Sequence, residues 1–247
     1  MARIFRTPAG YVVEEQGAYR ALDGDPFGTW RAGAEVEAPA SVLAPVVPSK
    51  IVCIGLNYKD HAAEQGKPLP AEPLIFLKPS TAIVDPGQSI VIPDGVGRVD
   101  YESEVAVVIG RRATRVSEAD ALSHILGLTC MNDVTARELQ KKDGRYTRAK
   151  GFDTFAPLGP CIATGLDPDA LAIEGLLNGQ VRQQSSTREL IFPVATLIAY
   201  ISRIMTLLPG DIVSTGTPAG IGPLAPGDEF VVCVEGIGKL CSPVTGQ

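Results

Sequence analysis

Three carboxylates and a histidine are the residues of this chain best suited to chemistry. Glu102 and Glu104 stand two apart within Val99–Ile109, whose β-branched residues spell a strand. Side chains alternate across a strand, so the two carboxylates share a face with Ala106 and Val108. A face that carries two like charges and then runs on into apolar positions must neutralise them. A proton, an Arg or Lys, or a metal ion would serve. The alternative is an edge strand whose glutamates simply face water. Leu126–Asp133 is a predicted strand that ends in Asp133, ahead of a predicted helix over Val134–Lys142. An acid there suits a metal ligand or a helix N-cap. Glu102, Glu104 and Asp133 together form an all-oxygen set. Such a set favours Mg2+, Mn2+ or Ca2+ over zinc, and no Cys/His cluster competes with it.

His61 and Glu64 lie at i and i+3 on a short helix predicted from Asp60, with Asp60 or Asn57 available as N-cap. A histidine oriented by a carboxylate is the usual form of a general base, because the carboxylate fixes its tautomer and stabilises the imidazolium. The same spacing also describes an ordinary surface pair. His61 is one of only two histidines, and it follows the buried strand Lys50–Gly55 at its C-terminal end. The loop Gln65–Pro73 is placed to act as a lid over it. The second histidine, His124, sits at the edge of an apolar helical face and reads as structural. Arg137 and Gln140 fall at i and i+3 on the helix after Asp133. Lys150 follows, either as a salt-bridge partner of the carboxylates or as a charge stabiliser. The turn Thr215–Gly222 offers hydroxyls and backbone N–H groups to a carboxylate but lacks the lysine and spacing of a nucleotide-binding loop.

The elements that position these residues are mostly strands. Pro73–Pro79, Ser89–Pro93, Ile212–Ser214 and a late strand at Phe230–Val234 that closes the chain read as such. Asn178-Gly179 marks a hairpin, and Ser117 caps a helix over Val116–Leu126. A further helix spans about Val194–Leu208, too broken to cross a bilayer. Residues 1–48 carry short strand pieces, among them Tyr11–Val13 and Glu35–Glu37, and end in a Pro-containing linker. The expected division is a small N-terminal β-rich appendage, 1–48, and a catalytic domain, 49–247. The 247 residues are 45% hydrophobic with 22 basic and 28 acidic side chains. That supplies an ample core and no basic stripe for nucleic acid. Five cysteines, none in a C-x-x-C pair, suit reduced core thiols, and no signal segment opens the chain. The expectation is a soluble cytoplasmic protein without membrane or nucleic-acid partners.

Over residues 50–245 the chain resembles the fumarylacetoacetate hydrolase superfamily, of the short bacterial, acylpyruvase-like type. The motifs are Gly55–Glu64, Phe76–Ser80, Tyr101–Glu104, Asn132–Arg137, Arg148–Asp153 and Thr215–Pro218, in that order. The resemblance implies an α+β, strand-rich mixed β-sandwich roll with a small N-terminal appendage, assembled as a homodimer. It implies one Mg2+ or Mn2+ per subunit on Glu102, Glu104 and Asp133, with Ca2+ as a possible substitute. It casts His61 and Glu64 as the water-activating dyad and sets Lys150 and Gln140 beside the substrate's developing charge, with Arg137 nearby. Thr217 is then at a substrate carboxylate. The implied reaction is hydrolysis of a C–C bond in acylpyruvate-type 2-oxo acids, such as fumarylpyruvate, through a metal-chelated enolate. The alternative is decarboxylation or isomerisation of 2-oxo or 2-hydroxy-dienoate diacids, such as oxaloacetate or intermediates of homoprotocatechuate breakdown. A structural carboxylate metal site is the non-enzyme alternative. The long members have a larger N-terminal domain and a fourth acidic ligand before the histidine segment. Here that region carries Asn57, which argues against fumarylacetoacetate itself as the substrate.

Overall fold

The computed structural model describes residues 1–247. It is a strand-rich α+β fold with nineteen strands in three sheets, and its longest helix is Val194–Ile204. An eleven-stranded sheet forms the spine, and its middle is the pairing of Ser103–Ile109 with Ile125–Asn132. On the other side Ser103–Ile109 pairs antiparallel with Ile212–Ser214, which lies parallel to Ile51–Gly55. The edge strand Leu74–Lys78 completes that flank.

Alternation across this spine divides the core. Val105, Val107 and Ile109 join Val52 and Ile54 in one apolar cluster, with Phe230, Val232 and the helix residues Leu197, Ile198 and Ile201. Ala106 and Val108 join Ile51 and Cys53 in the other, with Ile4, Val13, Met131 and Ile162. Both faces are covered, which is why the central strands read as near-continuous apolar runs. The five-stranded sheet, from Gln180–Ser186 across to Ile90–Ile92, backs the first cluster. The N-terminal meander, Arg3–Thr7 through Trp30–Glu35, continues the spine through the pairing of Arg3–Thr7 with Ala156–Ala163. No helix is long and apolar enough to cross a membrane.

Several local expectations need correction. The expected strand at Glu35–Glu37 lies earlier, over Trp30–Glu35. The helix expected over Val116–Leu126 is the single turn Glu118–Ala121 followed by a 3-10 turn. Ser117 does cap it, and Ile125 already belongs to the next strand. Between Asp133 and its helix the chain first pairs Thr135–Ala136 with Val99–Asp100, so the helix starts at Arg137. Asp133 is therefore not its N-cap. Helix Lys59–Glu64 has Tyr58 at its N-cap position with no side-chain cap. Asn57 is bonded to Thr215 and Phe192, and Asp60 lies inside the first turn, accepting from the His61 N–H and from Ser185 Oγ. Phe230–Val234 is not the last strand, because Gly238–Gly246 pairs with it. All five cysteines are free thiols.

Candidate active site

The site forms where four strand ends meet. Ser103 pairs with Asn132, Ala106 with Ser214, and Ser214 with Cys53. The C-terminal ends of Ile125–Asn132, Ile212–Ser214 and Ile51–Gly55 therefore gather at the start of Ser103–Ile109. Glu104 lies on the second-cluster side, as its spacing from Ala106 predicts. The strand breaks at Glu102, which separates Val99–Tyr101 from Ser103–Ile109. Asp133 follows directly on its strand. One carboxylate oxygen from each of Glu102, Glu104 and Asp133 lies within 4.8 Å of the others, and all three residues are buried. The edge-strand alternative, with the glutamates in water, is excluded by that burial.

Counter-charges are unevenly shared. Lys150 Nζ donates to Glu102 Oε2 at 2.8 Å and to Asp133 Oδ2 at 2.5 Å, and lies 4.9 Å from the centre of the Phe76 ring. Lys78 Nζ donates to Asp133 Oδ1 at 2.6 Å from a fully buried side chain. Arg137 Nη2 donates to Glu102 Oε1 at 2.5 Å, and its Nε donates to Asp100 Oδ2 at 2.8 Å. Glu104 has no cation. Its Oε2 accepts from Ser214 Oγ at 2.5 Å and from the Gly216 N–H at 3.0 Å.

The titration behaviour follows. Burial opposes the charge on Glu102, but Lys150 and Arg137 outweigh it and hold the carboxyl well below its ordinary range. Burial, reinforced by Asp133 and Glu102, pushes Glu104 up to about 8. Burial also works against charge on Lys150, yet Asp133 and Glu102 raise it. At Lys78 burial wins and lowers the ammonium below its usual value. A buried carboxylate beside two others, with no cation of its own, is the arrangement a divalent ion would relieve. The donor set thus fits a hard, oxygen-seeking metal.

His61 is buried on its helix, and its Nδ1 lies 2.9 Å from Glu64 Oε2. The other oxygen of Glu64 accepts from the Gly220 N–H at 3.0 Å, which ties the helix to the Thr215–Gly222 turn. A neutral imidazole in this pair carries its proton on Nδ1 and leaves Nε2 as the basic atom. Nε2 meets the Gln65 side-chain amide at 2.7 Å. Asn57 locks the corner before this helix. Its Nδ2 donates to the carbonyls of Thr215 and Phe192, and its Oδ1 accepts from the Phe192 N–H.

One cleft of about 360 Å³ opens onto these groups. His61, Glu102, Glu104, Arg137, Gln140, Lys150 and Thr217 all line it. The family model for the fumarylacetoacetate (FAA) hydrolase C-terminal domain matches residues 50–245, the stretch that supplies every one of these side chains. The chain belongs to the fumarylacetoacetate hydrolase family. It is an enzyme of that family, with the family's mixed-sheet fold.

Relatives within the family differ in activity. The bovine (Bos taurus) mitochondrial oxaloacetate tautomerase FAHD2A is 42% identical over 215 residues, covering 82% of this chain and 68% of that protein. A crystal structure of 5-carboxymethyl-2-hydroxymuconate delta-isomerase from Mycobacterium smegmatis matches with a TM-score of 0.90. It is 42% identical, with all of both chains covered. A fumarylacetoacetate hydrolase from Exiguobacterium antarcticum matches with a TM-score of 0.91 at 32% identity, again over both whole chains.

Within this family site, the cleft gathers all the candidate catalytic, substrate-binding and metal-ligating residues named from the sequence except Asp133 and Glu64. These two stand just behind its wall, bonded to Lys150 and His61. Gln140 Oε1 accepts from Arg137 Nη1 at 3.0 Å. The Thr217 hydroxyl is already engaged, donating to the Ser103 carbonyl at 2.9 Å and accepting from Gln183 Nε2 at 2.8 Å. His124 lies elsewhere, with Nδ1 at 3.0 Å from the Arg112 carbonyl. Sequence reasoning missed Lys78 and Asp100. Lys78 ends an apolar strand next to Pro79, and a lysine there at an inward register position is a usable signal. Asp100 precedes Glu102 by two, in the alternation already noted.

Proposed function

We propose that this enzyme interconverts tautomers or double-bond isomers of 2-oxo diacids, with a divalent ion held by Glu102, Glu104 and Asp133. The observation that carries the reading is one cleft holding both an oxygen-only metal triad and a histidine–carboxylate dyad. Mg2+ or Mn2+ suits the triad, and Ca2+ could substitute. A bound ion would supply Lewis-acid polarisation of a 2-oxo acid. The chain's own residues do the rest. His61 Nε2 takes the proton from C3 and returns it at the C2 oxygen, or the reverse. For a double-bond isomer the proton returns instead at a carbon further along the conjugated chain. In both cases only bonds to hydrogen and the π bonds between those atoms shift, no other σ bond breaks, and atoms balance. Glu64 holds the ring and stabilises its imidazolium form. Gln65 must yield Nε2 as the substrate enters. Lys150 and Gln140 face the negative charge that grows on the substrate oxygen. Arg137 fixes both Glu102 and Gln140. Tautomerisation and isomerisation both relocate a proton, and the names of two 42%-identical relatives favour that class.

Hydrolysis of acylpyruvates is the second reading. The same dyad would activate a water in place of the Gln65 amide, and a hydrolase is among the structural relatives. Oxaloacetate and fumarylpyruvate, each supplied as enol with Mg2+, separate the two. The first reading expects oxaloacetate enol to relax quickly to its keto form, with fumarylpyruvate left uncleaved. Release of fumarate and pyruvate would establish the hydrolase instead. Glu64→Gln should lower either turnover about a hundredfold, within the usual range for a general base. Its Mn2+ affinity should stay at the wild-type value. Loss of metal binding in that variant would mean that Glu64 serves the metal site and not His61.

A further inference from the structure

Four cations line the cleft: Lys67, Arg137, Lys141 and Lys150. Two are committed inward, Lys150 to Glu102 and Asp133, and Arg137 to Asp100 and Glu102. Lys67 and Lys141 make no ion pair, and their ammonium groups make no hydrogen bond within the chain. The only carboxylates lining the cleft, Glu102 and Glu104, belong to the triad. The cleft is therefore lined by two cations that have no ion-pair or hydrogen-bond partner in the protein.

Both lysines are held by backbone. Helix Lys59–Glu64 ends in a turn with Gly66 at φ +61°, which returns the Lys67 N–H to the Ala62 carbonyl at 3.0 Å. Lys67 is thereby kept beside the His61 helix. Lys141 rides on helix Arg137–Asp143 four residues after Arg137, on the same face. Four residues advance a helix by about 6 Å, so Lys141 stands one turn beyond the guanidinium that grips Glu102. The two lysines come from different elements and converge on one opening.

We infer that Lys67 and Lys141 form a second carboxylate subsite, which selects 2-oxo acids bearing a distal carboxylate. This rests on the proposed function and assigns to it the residues that read the second carboxylate of the diacid. Lys67 and Lys141 share one cleft with the triad, so a substrate whose 2-oxo acid end lies at the triad would present its far end to this pair. A carboxylate there meets two free ammonium groups. An ester or a methyl group meets the same cations without compensation, so the site discriminates by charge.

The test compares oxaloacetate with its 4-methyl ester in enol relaxation with Mg2+, using wild type, Lys67→Ala/Lys141→Ala and Lys67→Arg/Lys141→Arg. Calorimetric binding of 2-oxopentanedioate and of its distal monomethyl ester runs in parallel. The ratio of kcat/KM for diacid over ester should fall about tenfold in the alanine pair, as expected for two solvent-exposed charge contacts. It should be largely restored in the arginine pair. The loss should lie mainly in KM, because the contact is made equally in ground and transition states. A wild-type ratio near one, or an alanine pair that keeps the wild-type ratio, overturns the subsite while leaving the reaction standing. If neither compound is turned over, the reaction fails, and the calorimetric pair alone decides the subsite. Preferential wild-type binding of the diacid, lost in the alanine pair, supports it. Equal binding of diacid and ester overturns it.

Discussion

Glu104 is the residue on which the metal reading turns. It is 1% exposed, it faces two other carboxylates, and the surrounding lysines and arginine all go to its neighbours. Glu104→Gln keeps an oxygen for Ser214 and Gly216 but removes a carboxyl that the metal-free fold must hold protonated up to about pH 8. The metal-free variant should be at least as stable as wild type at neutral pH, because a carboxyl raised on folding costs stability as the pH rises above its unfolded value. Its Mn2+ affinity should fall by more than about tenfold, since even less direct partners of a metal change affinity by about 10–100-fold. Titration calorimetry and thermal denaturation read both effects, and an unchanged Mn2+ affinity would remove Glu104 from the ligand set. At this scale the sequence was informative about the triad, because two like charges on one apolar-continuing face demand a partner. It was silent on which cation each acid receives. That depends on Lys78 and Lys150 arriving from strands and helices distant in sequence.

At the scale of elements, the corner after Ile51–Gly55 sets the position of the dyad. Leu56 adopts φ +49°, and Asn57 then bridges to Thr215 and Phe192 through both ends of its amide. Asn57 is fully buried. Asn57→Ala leaves those backbone groups without partners and should cost about 2–3 kcal/mol, read as a lower denaturant midpoint. It should also reduce turnover, because the same corner places His61. Full stability in the variant would show that the bridge is dispensable. The sequence offered Asn57 as a helix cap, a local role that its residue type favours. Tertiary hydrogen bonds to a segment more than 130 residues away took it instead. The early end of the helix after Ser117 and the short strand before Arg137 have the same origin. Pairing with distant strands overrode local periodicity.

For the whole molecule, the β-branched and apolar runs made a strand-rich chain legible, the mixed β-sandwich roll was implied by the family resemblance, and the convergence of strand ends on the acids emerged only with the strand pairing. The order of the eleven strands was not legible, since register between distant segments leaves no local trace. The fold is built around a charge-unbalanced site, so metal should stabilise it globally. Mn2+ at about 100 times its dissociation constant should add about 2.7 kcal/mol. For a chain of this size that is a rise in Tm of roughly 5–10 °C, reversed by chelator; no shift would mean that the triad does not bind metal in the folded protein. The most direct test of the central claim is the decay of oxaloacetate enol absorbance with purified enzyme, in Mg2+ and then in excess chelator. The account predicts acceleration that chelator abolishes and that His61→Ala loses, with keto oxaloacetate as the sole immediate product. Absence of acceleration by protein shown to carry its metal would contradict it.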